Sequence, residues 1–161
     1  MRTVLFETNL WLSEPPHRVF PFLAHTANLE SIKPSWLRFE VLTPLSVAVA
    51  SGTRIDYRLR YHGVPMKWHS EIVKWNPPSW FVDSQVAEPY SDVGALACFR
   101  GARRGRLSLD RVKYAVVGVT LVNVLFVRLD VGRLFKYRQE KLTEVFGGRP
   151  EIAGRRNWGR V

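Results

Sequence analysis

Leu121 to Phe146 reads LVNVLFVRLDVGRLFKYRQEKLTEVF. At 100° per residue, Leu121, Val124, Leu125, Val131, Phe135, Leu142 and Phe146 fall on one side. Arg133, Lys136, Tyr137, Glu140 and Glu144 fall on the other. The pattern predicts an amphipathic helix of roughly seven turns, long for a globular domain. Gly147-Gly148 and then Pro150 stop it, with glycine at the left-handed position and proline just beyond. Lys and Arg crowd the later turns, as the helix dipole favours, and Glu144 opposes them. Leu121 to Val127 is apolar nearly all round, so it is covered on several sides or borders a cavity. The competing reading of the first part is a Val-rich buried strand from Val112 to Val127. A helix this long needs something broad to lie against, and the rest of the chain has to supply a sheet.

Upstream, the chain alternates. Thr3 to Leu12 sets Val4, Phe6, Thr8 and Leu10 against Leu5, Glu7, Asn9 and Trp11, a first strand. Ser13 before Glu14-Pro15-Pro16 reads as a helix cap, and Pro21 keeps that helix short. Ala27 to Ile32 reads as a second helical piece, ended before Pro34. Trp36 to Leu42 reads as a strand. Thr53 to Tyr61 alternates most cleanly, with Ile55, Tyr57, Leu59 and Tyr61 opposite Arg54, Asp56, Arg58 and Arg60. His62-Gly63-Val64-Pro65 turns the chain, and Met66 to Trp75 returns as an antiparallel partner. Asn76-Pro77-Pro78-Ser79 is a further turn, followed by a strand from Trp80 to Ala87. Leu107 to Ala115 alternates again. Strands in sequence order with a closing helix give an α+β fold: a curved antiparallel sheet of about seven strands wrapped on a long C-terminal helix.

The chain has 161 residues, enough for one domain with a sizeable core, which is placed at residues 1–148. Residues 149–161 are Gly- and Arg-rich with little to bury, and read as a basic disordered tail. No apolar run reaches the roughly 18 residues that span a bilayer. The N-terminus lacks the pattern of a signal peptide, and the single cysteine, Cys98, fits a reducing cytoplasm. Net charge is +10, unevenly placed. Residues 1–99 balance nine Lys+Arg against nine Asp+Glu, so the whole excess lies in residues 100–161. Either this is a solvated basic face with an Arg-rich tail, or it contacts nucleic acid or an anionic membrane through Arg100, Arg103, Arg104 and Arg106.

The order of elements, and the motifs along them, resemble the SRPBCC superfamily, which includes START-type lipid carriers and polyketide cyclase/dehydrase-like proteins. The residues that carry the likeness are Asn28-Leu29, Pro34-Ser35-Trp36-Leu37, Gly52 to Tyr57, Gly63-Val64-Pro65, Trp68, Trp75-Asn76-Pro77-Pro78 and Phe81 to Gln85. Pro89-Tyr90, Asp110 to Tyr114 and Phe135 to Arg138 extend it over about residues 3–147. The resemblance is strongest to small bacterial ligand-binding SRPBCC domains, and it implies a helix-grip fold with a cavity between sheet and helix. One interval departs from the pattern: SDVGALACFRGARRGRLSL lacks the histidine-containing strand expected there. Its Gly/Arg/Ala-rich composition is that of a diverged strand or of a shifted reading frame in GC-rich DNA.

On this reading Ile55, Tyr57, Leu59 and Tyr61 line the cavity with Met66, Trp68 and Ile72 from the partner strand. Phe81, Asp83 and Gln85 share one face of the next strand, and Leu125 and Phe135 come from the helix. Aromatic-lined concave space with a few hydroxyls suits a flat or elongated apolar ligand. The expected function is carriage of a small hydrophobic or lipid-like molecule, with no cofactor and no metal. The alternative is a cyclase or dehydratase in the same pocket, which requires Asp83 to point inward. His17, His25, His62 and His69 show no metal-ligand spacing, and His69 has the parity that faces outward. No motif of a nucleophilic triad, phosphate loop or dinucleotide site is present.

The interval 92–107 is the test of the continuous sheet. Val93, Ala95, Ala97 and Phe99 alternate with Gly94, Leu96, Cys98 and Arg100, leaving little side-chain volume to pack. A strand is expected there, driven by its neighbours and less stable than they are, with Gly101 to Arg106 as an exposed turn. In hydrogen exchange, amides 93–99 should exchange faster than those of Thr53–Tyr61. Equal protection would refute the weak strand.

Overall fold

The computed structural model describes residues 2–86, 94–102, 105–116, 121–150 and 157–160, with side chains described for 5–86, 112 and 128–149. Strand β1 (Arg2–Leu12) comes first. Phe6, Leu10 and Leu12 are buried, so the even positions face the core, as the alternation predicts. Helix α1 (Pro16–Leu23) buries Val19, Phe20 and Leu23. Pro15, not Ser13, takes its cap position, and no side chain caps it. Ser13 instead donates its backbone N–H to the Gly147 carbonyl at 3.3 Å, tying the end of β1 to the far end of the chain. Helix α2 (Thr26–Leu29) is shorter than expected and starts at His25, whose Nδ1 accepts from the Ala27 N–H at 3.2 Å.

The strand expected over Trp36–Leu42 shrinks to β2 (Glu40–Val41). The fixed φ of Pro34 opens a 3-10 turn over Ser35–Leu37, and Arg38 leaves it in the left-handed region at φ 44°. Only Glu40 and Val41 then reach the ladder, opposite Arg58 and Tyr57. Strands β3 (Arg54–Tyr61) and β4 (Val64–Asn76) form the expected hairpin with a tighter turn. His62 and Gly63 alone make it, both at positive φ (48° and 83°), the twist a two-residue loop requires. Val64 and Pro65 belong to the strand. Strand β5 (Trp80–Gln85) follows the Asn76–Ser79 turn, and Val73 is left out of register as β4 bulges between Ile72 and Lys74.

Strand β6 (Gly94–Ala102) forms, so the small-residue interval joins the sheet. It continues past the expected turn start at Gly101, and β7 (Gly105–Val116) resumes before Arg106. Arg103 and Arg104 lie outside the described residues, as do the side chains of Arg100 and Arg106. Helix α3 (Leu121–Phe146) has the bounds its periodicity predicts, and β7 ends at Val116, which rules out a strand through Val127. The tail differs from the expectation of disorder at two places: β8 (Gly148–Pro150) and β9 (Asn157–Arg160) both pair with β1.

The sheet runs β2-β3-β4-β5-β6-β7-β1-β8, every pair antiparallel, with β9 also on β1. These nine strands among the described residues are two more than expected, and the extra pair comes from the tail. The core lies on the concave side. Phe6 of β1 meets Phe135 of α3 with ring centroids 4.9 Å apart. Leu10, Leu12, Val19, Phe20, Leu23, Ile32 and Leu142 form one cluster that α1 and the end of α3 close together. Each such side chain contributes about 1.5–3 kcal/mol through burial. On α3, Arg133, Lys136, Glu140 and Glu144 are exposed, and Phe135 and Leu142 are buried, as the periodicity predicts.

Gly147 ends α3 at φ 68° and Gly148 follows at φ 126°. A Cβ on Gly148 would stand 2.1 Å from the Trp11 carbonyl oxygen, whereas one on Gly63 (φ 83°) would meet open space. Gly148→Ala should cost more than about 2 kcal/mol, combining backbone strain with a backbone collision. Gly63→Ala should cost only about 1 kcal/mol, strain alone. Urea denaturation of the two variants checks the order; equal losses would mean β8 does not hold its place against β1.

Candidate functional site

The strand registers stack the inward side chains of β3, β4 and β5 in rows. Counting from the hairpin tip, Leu59 pairs with Met66 and Tyr57 with Trp68. Ile55, Ser70 and Gln85 then stand side by side across three strands. Ile72 pairs with Asp83, and past the bulge Trp75 pairs with Phe81. Ile55, Tyr57, Ser70, Ile72 and Gln85 are buried, which fixes this as the inner face. The result is an inward surface with aromatic and aliphatic groups at both ends. Across its middle runs a polar band: the Tyr57 phenol, the Ser70 hydroxyl, the Gln85 amide and the Asp83 carboxylate.

Both ends are closed by contacts. At the far end Phe20 of α1 packs on Trp75 (4.9 Å) and edge-on to Phe81 (5.6 Å). At the hairpin tip, Asp130 of α3 is buried and its Oδ2 accepts from the Tyr61 hydroxyl at 2.8 Å. His62 Nε2 lies 2.7 Å from the same oxygen, and Arg133 approaches Oδ1 at 3.8 Å. A carboxylate removed from water is tolerable only with such partners. The latch holds the tip of β3–β4 onto the helix. Between the two closures Leu59, Met66, Trp68 and Asp83 are only partly buried, although all stand on inner-face register positions.

Burial, reinforced by the charge of Asp83 and less by that of Asp56, pushes the Tyr57 phenol well above its ordinary range. The Ser70 hydroxyl beside it works the other way. Tyr57 is thus a hydroxyl that keeps its proton. The influence of Asp83 agrees with the register that pairs it with buried Ile72: the carboxylate belongs to the inner side. Gln85 is 5% exposed, and among the described residues its Oε1 has no hydrogen-bond partner.

The outer face has a different character. His69 faces outward, as its parity predicts, with Nδ1 2.7 Å from Asp56 Oδ1. Arg54 pairs with Glu71 at 3.1 Å. These groups and Val86 border a hollow of about 350 Å³ whose charges already have partners. Exposed pairs of this kind add little stability. Among the described residues no three His, Cys, Asp or Glu side chains converge as metal ligands would.

Of the residues named from sequence, Ile55, Tyr57, Leu59, Met66, Trp68, Ile72, Phe81, Asp83 and Gln85 come together on one surface. Tyr61 joins the latch instead of lining the middle. Phe135 is taken up by its contact with Phe6. The Leu125 side chain lies outside the described residues. Sequence reasoning passed over Ser70, which sits on the inward parity of β4, and Asp130, an acid bordering the apolar stripe of α3. It also missed Gln139, whose Nε2 donates to Thr8 Oγ1 at 2.7 Å and to the Asn9 carbonyl at 3.0 Å.

No family model and no curated protein matches the sequence. Solved structures do match the arrangement of strands around α3. The di-domain ARO/CYC StfQ from the steffimycin biosynthetic pathway superposes with TM-score 0.70 at 16% identity, over 91% of this chain and 51% of StfQ. The shared architecture is the helix-grip fold. The helix-grip chain described above spans about half the length of StfQ. Protein Ms6760 from Mycobacterium smegmatis aligns with TM-score 0.64 at 14% identity, over 88% of this chain and 89% of its own. Ara h 8.0201 aligns with TM-score 0.58 at 12% identity, over 88% and 99%. At such identities the likeness carries the fold.

The displaced Tyr57 gives a titration to measure. The Tyr57 phenol should stay un-ionised when absorbance at 295 nm shows ordinary phenols ionising near pH 10. A folded-state pKa above the unfolded value means the native chain holds the proton more tightly. That contribution is complete below about pH 10 and is lost as pH rises beyond it. Urea denaturation should therefore show stability falling above pH 10, and falling less in Tyr57→Phe. An identical decline in both would place the shifted phenol elsewhere.

Proposed function

We propose that this chain binds a small apolar molecule, flat or elongated, in the trough between the inner face of β3–β5 and α3. The observation that supports it most is the partial burial of Leu59, Met66 and Trp68 on the inner side of the sheet. A flush-packed core leaves such side chains fully covered, because interiors pack at crystal-like density. Apolar surface left uncovered on a concave face is the property of a ligand site. The aromatic ends match a ring system or chain by shape, and closure at both ends limits its length. StfQ, an ARO/CYC of a biosynthetic pathway, shares the fold and lends the reading support.

A second reading, cyclisation or dehydration in the same trough, gains from one observation. Asp83 lies on the inner side within electrostatic reach of the Tyr57 phenol, so a candidate base and a hydroxyl able to donate a hydrogen bond stand close together. Binding is common to both readings and is the property to test first. N-phenyl-1-naphthylamine, whose fluorescence rises in apolar surroundings, should bind saturably at one site per chain. Trp68→Ala should weaken that binding about ten-fold or more. Native mass spectrometry of purified protein, with organic extraction, looks for a retained small molecule. No saturable uptake of the probe together with no extracted compound would overturn the proposal.

A further inference from the structure

The tip of the β3–β4 hairpin carries a surface that the proposed trough does not use. Between Tyr57 and Ser70 the sequence holds Arg58, Arg60 and Lys67 and no acid. The register sets Arg58 directly opposite Lys67, and Arg60 opposite Pro65. These cations are exposed on the outward parity of the two strands, away from buried Ile55 and Tyr57. Like charges facing each other across a ladder repel. Arg58 is relieved by Glu40 at 2.7 Å, whereas among the described residues Arg60 and Lys67 have no acid. Toward the turn the surface becomes apolar. Val64 is 61% exposed, the most exposed large apolar side chain among the described residues, and Pro65 is exposed on the other side of the strand. Helix α3 continues the pattern. The Asp130 carboxylate that His62 meets is also approached by Arg133, so this turn of the helix borders the hairpin tip. The Arg133 side chain is exposed, and so is Leu129, one turn earlier on the same side.

We infer that this end of the molecule docks on an anionic lipid bilayer. Val64 and Pro65 enter the headgroup layer, and Arg60 and Lys67 meet the lipid phosphates and carboxylates. Charge complementarity chooses the partner. A negative membrane surface supplies the counter-charge that the protein withholds from Arg60 and Lys67, and the headgroup layer accepts apolar side chains that protrude singly. Nucleic acid would satisfy the cations and leave the apolar tip in water. The hairpin's aromatic side chains, Tyr57, Tyr61 and Trp68, stand on inner-face register positions, so no base-stacking platform accompanies the charges. The docking surface is separate from the trough, and the inference does not rest on the trough holding a ligand. It adjoins the Leu59 and Met66 end of the inner face, so a docked bilayer would be at hand as source or destination of an apolar ligand.

The test is flotation of the wild-type chain with phosphatidylcholine vesicles, with and without about one-third phosphatidylserine. No other ligand is added, so the outcome is independent of the naphthylamine result. The chain should float with the anionic vesicles only, and binding should fall as salt rises. Arg60→Gln/Lys67→Gln should weaken binding about twenty-fold, the effect of two cations near such a surface. Val64→Ser should weaken it about five-fold at unchanged charge. Arg103→Gln/Arg104→Gln, which removes as much charge from a different stretch of sequence, should weaken it far less. The substituted hairpin side chains are exposed, so urea denaturation of those variants should match wild type. No flotation of the wild-type chain with anionic vesicles at low salt would overturn the inference. So would a Val64→Ser chain that binds as wild type does, since attraction by charge alone is what nucleic acid or an acidic protein would also show. A greater loss in Arg103→Gln/Arg104→Gln than in Arg60→Gln/Lys67→Gln would assign the membrane to the Arg-rich stretch, against the hairpin.

Discussion

The contact between α3 and β1 is the constraint on which the remaining structure depends. Phe135 stacks on Phe6, Gln139 bonds both Thr8 and the Asn9 carbonyl, and Leu142 is wholly buried beside Leu10 and Leu12. The helix is thereby fixed along one side of the sheet. Among the described residues β3, toward the far side of the sheet, reaches it again at the hairpin tip through Tyr61 and Asp130. A helix held at β1 and touched at β3 leaves the strands between with inward side chains that it does not fully cover.

The chemistry of the proposed trough is a balance between the two kinds of surface on the inner face of β3–β5. Its ends are apolar and aromatic, and burying them favours any occupant of suitable shape. Its middle is polar, and each group there carries a desolvation cost that only a matching partner removes. The Asp130 latch illustrates the same rule within the protein. A buried carboxylate is accompanied by a hydroxyl, an imidazole and a more distant guanidinium. Among the described residues the buried Gln85 Oε1 has no such company.

Much of the architecture was legible in the sequence. The 3.6-residue period placed α3 from Leu121 to Phe146, because apolar spacing and a glycine stop are local properties that tertiary contacts reinforced. The period-2 alternation of residues 54–61 and its return strand gave the hairpin and the inner face. Misreadings occurred where the backbone departs from regular periodicity. Trp36–Leu42 alternates, but Pro34 and the left-handed Arg38 bend it into a short turn. Ser13 has the chemistry of a cap, yet its backbone is drawn to Gly147. The tail shows little to bury, and residues 148–150 and 157–160 are nonetheless paired with β1, because an available ladder edge offers backbone hydrogen bonds that composition does not reveal.

The sequence by itself determined which residues share a face: Ile55, Tyr57 and Leu59 on one strand, Phe81, Asp83 and Gln85 on another, Phe135 and Leu142 on the helix. Periodicity suffices for that, because a side chain's direction follows from the regular geometry of its own element. Only the tertiary structure decided which faces meet and in what register. Tyr61 and Asp130 are 69 positions apart, and no local pattern pairs them. The alignment of Ser70 with Gln85 depends on a hairpin register set by the bulge in β4 and the turn before β5. A polar residue inside an apolar trough reads in sequence like one facing solvent. Its burial, and so its need of a partner, comes from what the fold lays over it.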